Sequence, residues 1–232
     1  MSFGRGRAWA CVGLLAATAA VTVDITYRGP LERLDLVLSQ QWFPPPAHSV
    51  AWWFWWILAQ VGNEYVLIPP LGACCLIAAA RLRSIRPIVV TFCVCATLAL
   101  VIPGIKIVTG RTAPRSGYDA MFVGGTEYPS GHAVNAIVIW GAALEMLVLA
   151  FPVVERWLTV RVRRVLVVVG SAAAGFGMVG LNYHWFSDAL AGWLLGAMFF
   201  LIFLGLDVFA PLAARRAATN PAGHVPTVGE HP

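Results

Sequence analysis

Two short stretches of this chain bring together the residue types that phosphate chemistry needs. Tyr128-Pro129-Ser130-Gly131-His132 and His184-Trp185-Phe186-Ser187-Asp188 each place a histidine at the edge of an apolar segment. An imidazole can attack phosphorus or move a proton near neutral pH. His184 and Asp188 are four residues apart, so on a helix they share a face. A carboxylate that holds one ring nitrogen leaves the other free to attack. His132 then supplies a second titratable group for the leaving oxygen. Asp188 alone also fits a helix-dipole partner. Two histidines with polar helpers, each at the mouth of an apolar segment, are a richer set than structural histidines need.

An anion clamp accompanies them. Lys106 is the sole lysine of the chain; the other basic residues are arginines. Its position suits a snorkelling anchor, for which arginine serves equally well, and it suits a point charge on phosphate. Arg111 and Arg115 follow within ten residues. Their guanidinium forks match phosphate oxygens in bidentate fashion, although Arg115 alone also fits a headgroup contact. Ser130 and Gly131 precede an apolar run. A helix starting there offers free backbone N–H groups to an anion, and glycine lets the backbone approach closely. Lys106, Arg111, Arg115, Ser130 and Gly131 are therefore the candidate phosphate ligands.

The elements that must position these residues are written in the composition. The chain of 232 residues is 59% hydrophobic and 12% charged, against roughly 25% charged in soluble domains. Six apolar segments, about 8–26, 54–80, 87–105, 132–152, 165–183 and 187–209, approach the length of a spanning helix. The second is interrupted at Gly62-Asn63-Glu64, which predicts an interfacial piece over 50–61 before a span over 64–80. Arg5 and Arg7 before the first segment also resemble a secretory leader. No clear small-x-small cleavage site leads into a soluble domain, so the segment reads as a span. Of the 16 basic residues, 11 fall in alternate connections and at the two ends. By the positive-inside rule both termini are cytoplasmic and both histidine stretches face outward. The charge of +5 thus points to topology and not to nucleic acid.

The expected fold is an all-α, six-span transmembrane bundle over 1–212, followed by a disordered polar tail over 213–232 that carries Pro221 and Pro226. Leu31, Leu34, Leu36 and Leu38 suggest a short amphipathic stretch on the membrane. Trp52, Trp53, Trp55 and Trp56 read as an aromatic belt or a wall that grips a lipid chain. The five cysteines lie within spans without metal-ligand spacing, and no metal or cofactor is expected. Glu64 fits a helix start. Glu145 lies inside a span about 20 Å beyond His132, too deep for direct chemistry.

Lys106 to Pro114, Tyr128 to His132, and His184 to Asp188 with Ala191-Gly192 resemble the three motifs of the type 2 phosphatidic acid phosphatase family. These are membrane lipid phosphatases related in fold to vanadium haloperoxidases. The resemblance covers about residues 60–205. It implies that His184 is the nucleophile that becomes a phosphohistidine and that Asp188 orients it. It implies that His132 protonates the leaving group and then activates water, with Lys106, Ser130 and the Gly131 N–H on the phosphate. The implied substrate is a lipid phosphate or diphosphate, such as polyprenyl diphosphate, phosphatidic acid or phosphatidylglycerol phosphate. The implied setting is a bacterial cytoplasmic membrane, with the site at its outer face. Two family arginines are absent: Ala113 stands where motif one has its second basic residue, and Gly177-Met178 stands where motif three begins Ser-Arg. Each lost charge-assisted bond is worth roughly 1.5–3 kcal/mol. Arg111 and Arg115 flank the first gap and are expected to reach into it. Two alternatives stand beside the phosphatase: a lipid phosphotransferase that uses the same phosphohistidine, and a catalytically impaired lipid-phosphate binder or transporter, for which Ala113 and Met178 argue.

Overall fold

The structure, a computed structural model, describes residues 5–41 and 44–205. Its α-helices are α1 (Arg5–Thr26), α2 (Pro30–Gln41), α3 (Val50–Gln60), α4 (Glu64–Leu82), α5 (Arg86–Thr109), α6 (Gly131–Ala150), α7 (Val160–Gly180) and α8 (Phe186–Gly205). Six stretches are long and apolar enough to cross a membrane, with α3 and α4 counted as one continuous stretch, Val50–Leu82. The described residues contain no strand. The all-helical, six-span expectation therefore holds. The tail over 213–232, with Arg215 and Arg216, lies outside the described residues.

Local chemistry explains the helix ends that matter for the site. Ser49 caps α3 by accepting from the Trp52 N–H at 3.2 Å, and Asn63 caps α4 by accepting from the Tyr65 N–H at 3.0 Å. Between them lies the predicted break. A Cβ on Gly62 would stand 2.3 Å from the His132 carbonyl oxygen, so only glycine lets this corner rest on the first turn of α6. The amphipathic stretch after the first span is helix α2, with Leu34 and Leu38 exposed and Glu32 and Asp35 buried.

Helix α6 is the axis of the bundle. Its spanning window is 78% buried, against 17% for the first span and 22% for the third. It packs against α4, α7 and α8, while α1 packs on α8 and α3 on α7. The outer helices keep apolar faces such as Trp9, Leu15, Phe92 and Leu100 exposed. In a bilayer such faces contact lipid at no hydrophobic cost. Lys106, His132, His184 and Asp188 gather at one end of the bundle, and the Arg81–Arg86 and Arg156–Arg164 connections lie at the other.

Glu145, the acid inside α6, is paired: Arg163 Nε donates to its carboxylate at 2.9 Å, and Arg163 Nη1 donates to the Leu158 carbonyl at 2.6 Å. It serves helix packing at the end of the bundle away from the histidines. Arg163→Met strands this carboxylate and should cost about 2 kcal/mol of stability, below the full penalty of a buried pair because Glu145 is partly exposed. A thermal melt in detergent checks this. The Glu145→Gln/Arg163→Met pair should recover most of the loss.

Candidate functional site

His184 follows α7, with its side chain 3% exposed, and Asp188 lies in the first turn of α8. The His184 Nδ1 is 3.3 Å from Asp188 Oδ2. That oxygen also accepts from the Trp185 N–H at 2.9 Å, which locks the carboxylate to the turn. With Nδ1 turned to carboxylate, Nε2 is the nitrogen left for a substrate. Asp188 further ties the two histidine stretches together, because its carbonyl accepts from the Ser130 N–H at 3.0 Å. The Thr109 hydroxyl donates to the Tyr128 carbonyl at 3.0 Å, and the Trp185 indole donates to the Thr112 carbonyl at 2.7 Å. The end of α5, the start of α6 and the start of α8 thus form one hydrogen-bonded unit.

Arg111 does not reach toward an open anion site as the sequence suggests. Its side chain is fully buried and all five of its N–H groups are taken. Nε and Nη2 grip Asp119 at 2.9 and 2.5 Å, Nη1 holds Ser187 Oγ at 2.6 Å and Asp188 Oδ1 at 2.7 Å, and Nη2 reaches Asp35 at 2.8 Å. Ser187 also donates to Asp35 through its hydroxyl and its N–H. Three carboxylates surround one guanidinium, and that buried charge is why the fork faces inward. Burial pushes the Asp35 carboxyl up, against the pull of Arg111 and Ser187. Arg111 is therefore a brace behind Asp188.

In front of the histidines lies a cavity of about 810 Å3 between α4, α5 and α6. Lys106, Glu127, Gly131, His132 and His184 line its polar end, with Asn135 and Glu64 beside them. The Lys106 ammonium donates to the Thr126 carbonyl at 2.7 Å. Asn135 donates to Glu64 at 3.3 Å. Ser130 is fully buried, and its hydroxyl has no hydrogen-bond partner among the described residues. It stands at the N-terminus of α6 but does not line the cavity. Arg115 lies outside the lining, with its side chain 61% exposed, 5.0 Å above the Tyr183 ring and 3.9 Å from Glu127.

The departures at Ala113 and Met178 are thus not refilled by Arg111. Around Met178 the reason is visible. A Cβ on Gly177 would lie 2.4 Å from the Ala59 nitrogen, so glycine there admits the backbone of α3. Met178 lines the cavity and packs with Ala59 and Leu181, flanked by Trp52 and Trp55. An apolar helix crosses the place where the expected arginine would begin.

Asp35, Asp119, Ser187 and Glu127 were not singled out by sequence reasoning. Ser187 adjoins Asp188, and Asp119 lies in a connection already marked as polar. Nothing in the sequence pairs Asp35 with Arg111 across 76 residues. Arg111→Met should leave the carboxylates unpaired and cost about 3–5 kcal/mol, read as a lower melting temperature. Arg111→Lys should lose less, because one ammonium keeps the charge but cannot span Asp119, Asp35 and Asp188 together.

Comparison with known proteins bears on the family and the fold. The PAP2 superfamily matches residues 88–209. The fold is similar to the crystal structure of a transmembrane PAP2-type phosphatidylglycerolphosphate phosphatase from Bacillus subtilis, with a TM-score of 0.67 and 19% identity. The similarity covers 86% of this chain and 96% of that one. No curated protein sequence matches the chain. The matched residues span α5 through α8 and hold Lys106, His132, His184 and Asp188, and the chain belongs to the PAP2 superfamily.

Proposed function

We propose that this protein is a membrane phosphatase that hydrolyses a lipid phosphate or diphosphate through a phosphohistidine on His184. The observation that carries the reading is the shape of the cavity. Its polar end holds both histidines and Lys106, and its other end is apolar, lined by Ile68, Phe92, Ala96 and Ile139. Phe92 and Lys106 lie on one helix about 20 Å apart. A headgroup at the histidines therefore leaves a hydrocarbon chain along α5, where the exposed Phe92 side chain opens to lipid.

In the first half-reaction the Nε2 lone pair forms the N–P bond as the P–O bond to the leaving group breaks, an ester bond in a monophosphate and an anhydride bond in a diphosphate, and the leaving oxygen takes a proton from His132. The imidazole keeps its Nδ1–H and becomes cationic, and Asp188 stabilises that charge. In the second half His132 takes a proton from water, the water oxygen bonds to phosphorus, and the N–P bond returns its electrons to His184. Lys106 and the N–H groups at the start of α6 hold the phosphoryl oxygens. The substrate candidates are polyprenyl diphosphate, phosphatidic acid and phosphatidylglycerol phosphate, the last named in the structural relative. The site faces away from the cytoplasm, a reading supported by the arginine-rich connections at the opposite end of the bundle. The unreplaced guanidinium ligands at Ala113 and Met178 favour one alternative, a protein that binds the lipid phosphate without turnover.

Phosphate release from a panel of lipid phosphates decides between these. The wild type should release phosphate, and His184→Ala should lower kcat by at least about a thousandfold with a smaller change in KM. Silence of the wild type on every substrate would sink the phosphatase reading, and release that survives His184→Ala would remove the assigned nucleophile. For topology, Arg115→Cys at the exposed rim should react with a membrane-impermeant maleimide in intact cells. Labelling only after lysis would reverse the orientation.

A further inference from the structure

The resemblance assigns His184 one orienting carboxylate, yet two face its ring. Glu127 Oε2 lies 3.5 Å from Nδ1, next to Asp188 Oδ2 at 3.3 Å. Glu127 is 16% exposed at its side chain and lines the cavity. It immediately precedes the Tyr-Pro-Ser-Gly-His stretch and is outside the motif that carried the family resemblance.

Its position is built by the backbone. Residues 120–127 strap onto residues 109–112 through bonds from the Phe122 N–H to Thr109 at 2.7 Å, the Gly125 N–H to Gly110 at 2.9 Å and the Glu127 N–H to Arg111 at 3.2 Å. A Cβ on Gly125 would stand 1.9 Å from the Arg111 carbonyl oxygen, so the strap closes only with glycine there. Lys106 pins it from the other side through the Thr126 carbonyl. One residue thereby sets both carboxylates: the Arg111 guanidinium holds Asp188, and the Arg111 carbonyl receives the Glu127 N–H.

We propose that Glu127 is a second positioning residue for His184, sharing the Nδ1–H with Asp188. This rests on the reading of His184 as the nucleophile. A carboxylate inside an anion pocket repels phosphate, and a phosphatase already short of guanidinium ligands should not keep one without a return. The return is on the ring. When Nε2 bonds to phosphorus the imidazole becomes cationic while Nδ1 keeps its proton, and two carboxylates at that proton stabilise the charge more than one. Glu127 therefore acts on the charge that develops during transfer, where stabilisation lowers the barrier. Arg115, at 3.9 Å, partly balances it at the rim.

The test uses the full-length protein in detergent and compares Glu127→Gln with the wild type. The readouts are kcat and KM for phosphate release, inhibition by inorganic phosphate, the melting temperature and the His184 Nδ1–H proton resonance, assigned by its loss in His184→Ala. The expected result is a kcat lower by about tenfold, a KM that does not rise, an unchanged melting temperature and an upfield move of the resonance. A melting temperature that falls with the resonance unmoved makes Glu127 a strap anchor and overturns the proposal. An unchanged kcat with tighter phosphate inhibition makes it a resident anion and also overturns it. The resonance is read without turnover. A wild type that releases no phosphate therefore ends the phosphatase reading, while the Glu127–His184 pairing is still decided by that signal.

Discussion

The buried guanidinium of Arg111 is the interaction on which the site depends. It satisfies three carboxylates and a hydroxyl that come from α2, the 110–130 connection and α8. Each of these groups would be costly to bury alone, and a charge in the interior is tolerated only when its partners have good geometry. A planar fork with five donors meets that condition, and a single ammonium does not. The arrangement fixes Asp188, and through Asp188 the ring of His184. It also joins the amphipathic helix α2 to the end of the bundle that holds the histidines, because Asp35 belongs to the same cluster.

That inward role explains the character of the cavity. Arg111 braces Asp188 and is turned away from the cavity, and Arg115 stays at the rim against Tyr183. Lys106 and the start of α6 line the polar end of the cavity, with Met178 and the α3 backbone closing the side where motif three departs from the family pattern. The guanidinium charge is turned toward the carboxylate that holds the His184 ring. In the proposed reaction, such a site would depend on stabilising the cationic phosphohistidine and on the proton assigned to His132.

The apolar half of the cavity follows from the bundle itself. Helix α6 takes the central place because its side chains are apolar on nearly every face, and α5 is left with one side toward lipid. A groove between α4 and α5 is then open to a hydrocarbon chain along the membrane depth. The polar and the apolar ends of the cavity come from the same packing.

The six spans, the break at Gly62 and the pairing of His184 with Asp188 were legible in the sequence, because hydropathy and short motifs are local properties. His184 and Asp188, four residues apart, meet as their spacing requires. The direction of Arg111 was not legible: its motif position looked like that of a phosphate ligand, and its partners Asp35 and Asp188 lie 76 and 77 residues away in the chain. The role of Glu145 is set by Arg163, 18 residues on and in the next span. Glu127 gave no signal, because its approach to His184 depends on a strap closed by backbone bonds and one glycine. Sequence determined which elements exist and which residue types can act at phosphorus. Tertiary structure decided which charges face the substrate and which face each other, since that choice turns on desolvation and on partners distant in the chain.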